Sequence, residues 1–126
     1  MTQELTKLSI QCSLSTQNRS TKTAFETAIA EAIDDVLSAF GNHVKQTVYH
    51  HLENSYDIKR NEIPIKIEDF ADAIEQTFGP VAKLIEIKII ERLHAEYRDF
   101  LYVPKKDELD FAEFVFNFQR YLEPPA

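Results

Sequence analysis

The chain has 126 residues, a length that fits one domain able to bury a core without disulfide or metal staples. Fourteen basic against 21 acidic residues leave a formal charge of −7, which repels phosphate backbones and anionic lipid surfaces and argues against nucleic acid or a membrane as partner. The single cysteine, Cys12, excludes an internal disulfide, and the N-terminus lacks a basic start followed by a continuous apolar run, so a cytoplasmic protein is expected.

Residues 1–19 are rich in Ser, Thr and Gln and are expected to form a loosely ordered tail. Within them Leu8, Ile10, Cys12 and Leu14 alternate with polar residues, a pattern that fits a short strand only if an edge is supplied from elsewhere. The remainder, 20–126, reads as one helical domain, because only two glycines and five prolines interrupt it. Thr23 with Glu26 three residues on is a capping box, and Phe25, Ile29, Ile33, Val36, Leu37 and Phe40 then share one stripe of a first helix that stops at Gly41. On its opposite side Glu31, Asp34 and Asp35 read as a solvated face.

Asn42 is positioned to cap a second helix whose Val44, Val48 and Leu52 share a face, with His51 at the edge. The following segment lacks helical spacing, and Pro64 disfavours helix at the residue before it, so a connecting loop is expected, anchored by Ile58, Ile63 and Ile65. A third helix over 65–78 places Ile67, Phe70, Ile74 and Phe78 inward and ends at Gly79 and Pro80. Its other face carries Glu68, Asp69, Asp72 and Glu75, partly explained by the preference for acids at a helix N-terminus and otherwise suited to a basic partner.

Residues 79–101 form the longest apolar pattern. Ile85, Ile89, Leu93, Tyr97 and Phe100 fall on one stripe and Ile87, Ile90 and Leu101 on a second flank, which predicts a central helix over about 80–101 covered on more than one side. Its most apolar run, 84–90, is broken by Glu86 and Lys88 and falls far short of the roughly 20 residues that cross a bilayer. Asp107 is then expected to cap a last helix over 107–122, with Phe111, Phe114, Val115, Phe118, Tyr121 and Leu122 inward. Leu109 and Phe116 point the other way and make an apolar pair outside the core. The expected architecture is therefore an all-α domain of five helices.

No pattern of residues calls for catalysis or a cofactor. Both glycines end helices rather than opening a phosphate-binding loop, and Cys12 has no positioned base beside it. Glu91 and His94 make one Glu-x-x-His pair on a helix, half of the di-iron motif, but His43, His50 and His51 supply no second pair. A helix-turn-helix reader is disfavoured by a connection of about ten residues where that motif has three or four, and by the acids the third helix would turn toward DNA.

The runs HVKQTVYHHLE (43–53), IKRNEIP (58–64) and FGPVAKLIEIKI (78–89), in this order, resemble the Nitrosopumilus output domain, a small archaeal helical family found alone or attached to signal-transduction modules. The resemblance spans roughly residues 41–94 and leaves the N-terminal segment and the last helix outside it. It implies a helical, cytosolic domain with a regulatory role, acting here without a linked input module, and it brings no catalytic or binding residues with it. The expected function is a non-enzymatic protein-interaction or output domain in archaeal signalling or regulation, without cofactor or metal. Its contacts are expected at Leu109 and Phe116, and secondarily at Glu68, Asp69, Asp72 and Glu75, with a protein partner or a second copy of the chain. The alternative is a transcriptional regulator that touches DNA.

Overall fold

The structure, a computed structural model, describes residues 23–102 and 110–124. The expected 1–19 tail, its Leu8 to Leu14 alternation, the Asp107 cap and Leu109 all lie outside the described residues. The described chain is all helical: α1 (Ala24–Ala39), α2 (Asn42–Tyr56), a short 3-10 helix (Arg60–Ile65), α3 (Ile67–Phe78), α4 (Val81–Glu96) and α5 (Phe111–Leu122).

Local chemistry accounts for most of the boundaries. The Thr23 hydroxyl accepts from the Glu26 amide at 3.1 Å and starts α1. Gly41, at φ +110°, sits between α1 and α2 in a conformation that side chains oppose, so Gly41 rather than Asn42 occupies the N-cap position of α2. Asp57 takes the left-handed conformation and ends α2, and Gly79 at φ +57° ends α3. The segment expected as a loop is instead wound into a 3-10 helix that contains Pro64; the Glu62 carboxylate accepts from the Lys59 amide at 3.1 Å and closes its first turn. That backbone hydrogen bond, ahead of the Lys66 side chain, lowers the pKa of Glu62.

The core gathers on α1. Phe25, Ala28, Ile29, Ala32, Ile33, Val36 and Leu37 are buried, and α1 packs on α2, the 3-10 helix, α4 and α5. The helix at 81–96 lies against α1 and α3, but it is shorter than the sequence pattern suggests: Tyr97 leaves the helical conformation and ends it, so Phe100 reaches the core from outside the helix. The second flank is only partly covered, with Ile90 half-buried against the core. Ile87 is 42% exposed and Leu101 84%, and Val81 and Leu84 are exposed beside Ile87, because the neighbours of α4 cover its other sides. Phe40, Val44, Ile65 and Tyr121, expected inward, are exposed as well; each lies in the first or last turn of its helix or just beyond its end, where the stripe runs past the neighbouring element.

α5 begins at Asp110, whose carboxylate accepts from the Glu113 amide at 3.0 Å, and it docks almost wholly through rings. Phe114 and Phe118 meet Phe100 edge-on with centroids 5.5 Å away in both cases, Phe118 meets Tyr97 at 5.1 Å, and Phe25 of α1 lies 6.2 Å from Phe118. His94 belongs to this cluster, 5.3 Å from Phe114 and 5.9 Å from Phe100.

Truncating the ring that anchors α5 separates core from surface. Phe118→Ala is expected to lower unfolding free energy by about 3–5 kcal/mol, and Phe116→Ala, two residues away but outward, by less than about 1 kcal/mol. Urea denaturation of the two variants measures the contrast.

Candidate functional site

Phe116 projects from the outer side of α5 and is 46% exposed. The 3-10 helix and the start of α3 run past it, so Ile65, 67% exposed, shares with Phe116 an open groove of about 310 Å³ floored by Pro64 and Ile67. A second concavity of about 560 Å³ continues from Phe116 along α5 past Ala112, Asn117 and Arg120, with Glu68 on its far side. Both are open rather than enclosed, a shape that suits a polypeptide segment better than a small molecule.

The groove is acidic. Glu68 and Asp69 line its α3 side, and Asp110 and Glu113 its α5 side, against Lys66 and Arg120. Lys66 is already committed, reaching the Asp57 carbonyl at 3.2 Å and Glu62 at 3.3 Å, and Glu113 accepts a hydrogen bond from the Tyr102 hydroxyl. Burial and, after it, the Glu113 carboxylate push the Tyr102 phenol up to about 12, so it stays a donor at all ordinary pH. Among the described residues Glu68 and Asp69 form no ion pair, so their charge faces whatever enters.

The fold therefore brings together Phe116, Glu68 and Asp69, which the sequence offered as two separate surfaces, and adds Ile65 to them. It leaves out Asp72, which is exposed and lines neither concavity, and Glu75, which faces a different neighbour. That neighbour is Glu86. Its side chain is wholly buried, with both carboxylate oxygens lacking any hydrogen-bond partner, and its charged surroundings are Glu75 from α3, Asp110 at the start of α5 and Lys83 one turn back on α4. Burial first, then the nearby Glu75 carboxylate, push Glu86 up to about 7. Sequence analysis passed over Glu86 as a charge that breaks an apolar run. The signal was present in the spacing, because Ala82, Glu86, Ile89 and Leu93 recur at steps of four, three and four and all four are buried.

Two of the acids Glu31, Asp34 and Asp35 bring a correction of another kind. Asp34 accepts from the Tyr49 hydroxyl at 3.2 Å, lies 3.5 Å from Lys45 and pairs with Arg60, whose guanidinium sits 4.4 Å over the Tyr49 ring. Asp35 is held by Arg92 at 2.7 and 3.0 Å, and Arg92 also binds Glu96 at 2.6 Å. Asp34 and Asp35 are thus ties from α1 to α2, the 3-10 helix and α4, while Glu31 is exposed, as a solvated face requires. Burial and then the Asp34 charge raise the pKa of Tyr49, which keeps its proton for that tie. The concavity beside them, about 610 Å³, is lined by the engaged Asp34, Asp35 and Arg60 together with Glu31, Glu53 and Lys59.

The histidines act in packing and interhelix bonding. His51 meets Thr77 of α3 at 3.1 Å and Ser55 at 3.3 Å, next to a small apolar notch between α2 and α3, and His50 meets Asn54 at 2.6 Å. Glu91 is exposed while His94 sits among rings, so the pair does not converge, and among the described residues no three His, Cys, Asp or Glu side chains are grouped to hold a metal. Among the same residues no helix is long and apolar enough to cross a membrane. No protein-family model, curated protein or solved structure matches the chain.

Asp34→Ala leaves Tyr49 without its acceptor and Lys45 and Arg60 without their shared counter-charge, and is expected to destabilise by on the order of 1–2 kcal/mol. Asp35→Ala leaves Arg92 its bond to Glu96 and is expected to cost under about 1 kcal/mol. Parallel urea titrations compare them.

Proposed function

We propose that the chain is a non-enzymatic helical protein-interaction domain, acting in signalling or regulation, that docks a partner along the groove between the start of α3 and α5. The observation that carries this reading is the convergence of two exposed apolar side chains, Phe116 and Ile65, with the unpaired acids Glu68 and Asp69 on one open groove. An apolar anchor ringed by charge is the common plan of a protein contact, where the anchor contributes affinity and the charges select the partner. The occupant with matching chemistry is a segment presenting an apolar side chain flanked by Lys or Arg. The resemblance of 43–89 to an archaeal output domain supports a regulatory setting for such a contact.

A regulator that touches DNA has less support. Only two basic residues, Lys66 and Arg120, line the groove against four acids, and Lys66 is engaged by Glu62 and the Asp57 carbonyl. A second copy of the chain remains the simplest protein partner to test, since it needs no other component.

The test is capture by the tagged protein from its native cells with nuclease present, alongside light scattering of the purified chain. The expected result is a defined protein, or a concentration-dependent dimer, lost on Phe116→Glu and weakened at least tenfold by Glu68→Lys with Asp69→Lys, with the melting temperature unchanged. Capture insensitive to all three substitutions removes the groove from the contact. Retention of DNA that falls steeply with salt favours the regulator instead.

A further inference from the structure

Glu86 is the one wholly buried charged side chain among the described residues, and neither of its oxygens meets a donor. Such a group is costly when ionised, because it has given up water and received nothing in exchange. The charges around it deepen the conflict. From α3 it faces Glu75, from the start of α5 Asp110, and on its own helix Lys83, two acids against one base. α1 also packs along α4, but its acids act further along, Asp35 at Arg92 and Glu31 toward Tyr97.

One added proton resolves this. A protonated Glu86 carboxyl is a donor, and the Glu75 carboxyl on α3, the helix packed against α4, is the acceptor its surroundings offer. We infer that Glu86 and Glu75 form a proton-operated latch: a proton held between the two carboxyls seats α4 against α3, and its loss to solvent loosens that joint. The latch stands on the burial of Glu86 and the three groups facing it, and does not depend on what the groove binds.

The direction of the pH effect follows from where the proton is held more tightly. The folded chain keeps the Glu86 proton up to about 7, whereas the unfolded chain loses it near 4.5. Below the lower value both states are protonated and the group contributes no difference. As pH rises between the two values the unfolded state releases its proton first, so stability falls, and above the upper value the full loss persists.

The experiment is urea unfolding of the full chain from pH 4.5 to 8.5 for the native sequence, Glu86→Gln, Glu75→Gln and the exposed control Glu91→Gln, with carboxyl carbon NMR of Glu86 in the folded native chain. The folding equilibrium constant of Glu86→Gln relative to the native chain is expected to rise by roughly 100-fold across that range, in keeping with the separation of the two titrations. Glu75→Gln is expected to move the Glu86 titration to lower pH, and Glu91→Gln to leave the profile unchanged. At pH 8, amide exchange over 82–89 is expected to be slower in Glu86→Gln than in the native chain. A Glu86 carbon that titrates near 4.5 in the folded chain overturns the latch, and so does a native-to-Gln difference that is the same at pH 5 and pH 8. The NMR titration decides the matter even if the glutamine variant does not fold.

Discussion

Every described element except α3 leans on the buried stripe of α1, and that dependence shapes the molecule. Ala28 and Ala32 alternate with Ile29, Ile33 and Leu37, so small positions admit neighbouring helices while the branched ones fill the space between them. α2, the 3-10 helix, α4 and α5 all reach this surface, and α3 is held one layer out, on α2, α4 and α5. On its remaining side two acids, Asp34 and Asp35, are paired with cations from these neighbours, while Glu31 stays exposed.

Those pairs divide the charge of the chain into two populations. Asp34 and Asp35 are used internally, each meeting a cation from another element, and they orient α2, the 3-10 helix and α4 around the apolar stripe. Being partly exposed, such pairs contribute modestly to stability and more to the choice among alternative packings. Glu68 and Asp69 are used by nothing inside the described chain, and they sit where the apolar surface of α5 is also left uncovered. At this groove unpaired acids thus lie beside uncovered apolar side chains, which is the arrangement a selective contact needs.

α5 links this groove to the buried carboxyl. Its inner face is fastened by Phe114 and Phe118 to rings from α1 and from the chain after α4, its outer face carries Phe116, and its cap, Asp110, looks toward Glu86. The rings hold the helix in place whatever the pH, whereas the joint of α3 and α4 at Glu75 and Glu86 is the one proposed to answer to a proton. A ring contact has no charge to lose, and a donorless carboxyl has no other way to be satisfied.

The sequence alone determined the helical class, the identity of nearly every core residue in the middle of each helix, and the stops at Gly41 and Gly79, because these depend on spacing and on backbone conformations local to a few residues. It also marked Phe116 as outward. What it could not contain was the pairing of faces. Whether Ile87 and Ile65 are covered, whether Glu31, Asp34 and Asp35 meet water or cations, and whether Phe116 lies beside Glu68 or far from it are settled by which helices pack together, and residues dozens of positions apart decide that. Glu86 shows the boundary most clearly. Its periodicity put it on the inner face, but its meaning came only when α3 placed the exposed Glu75 close enough to act on it, since a carboxyl's proton affinity is a property of its surroundings and not of its place in the chain.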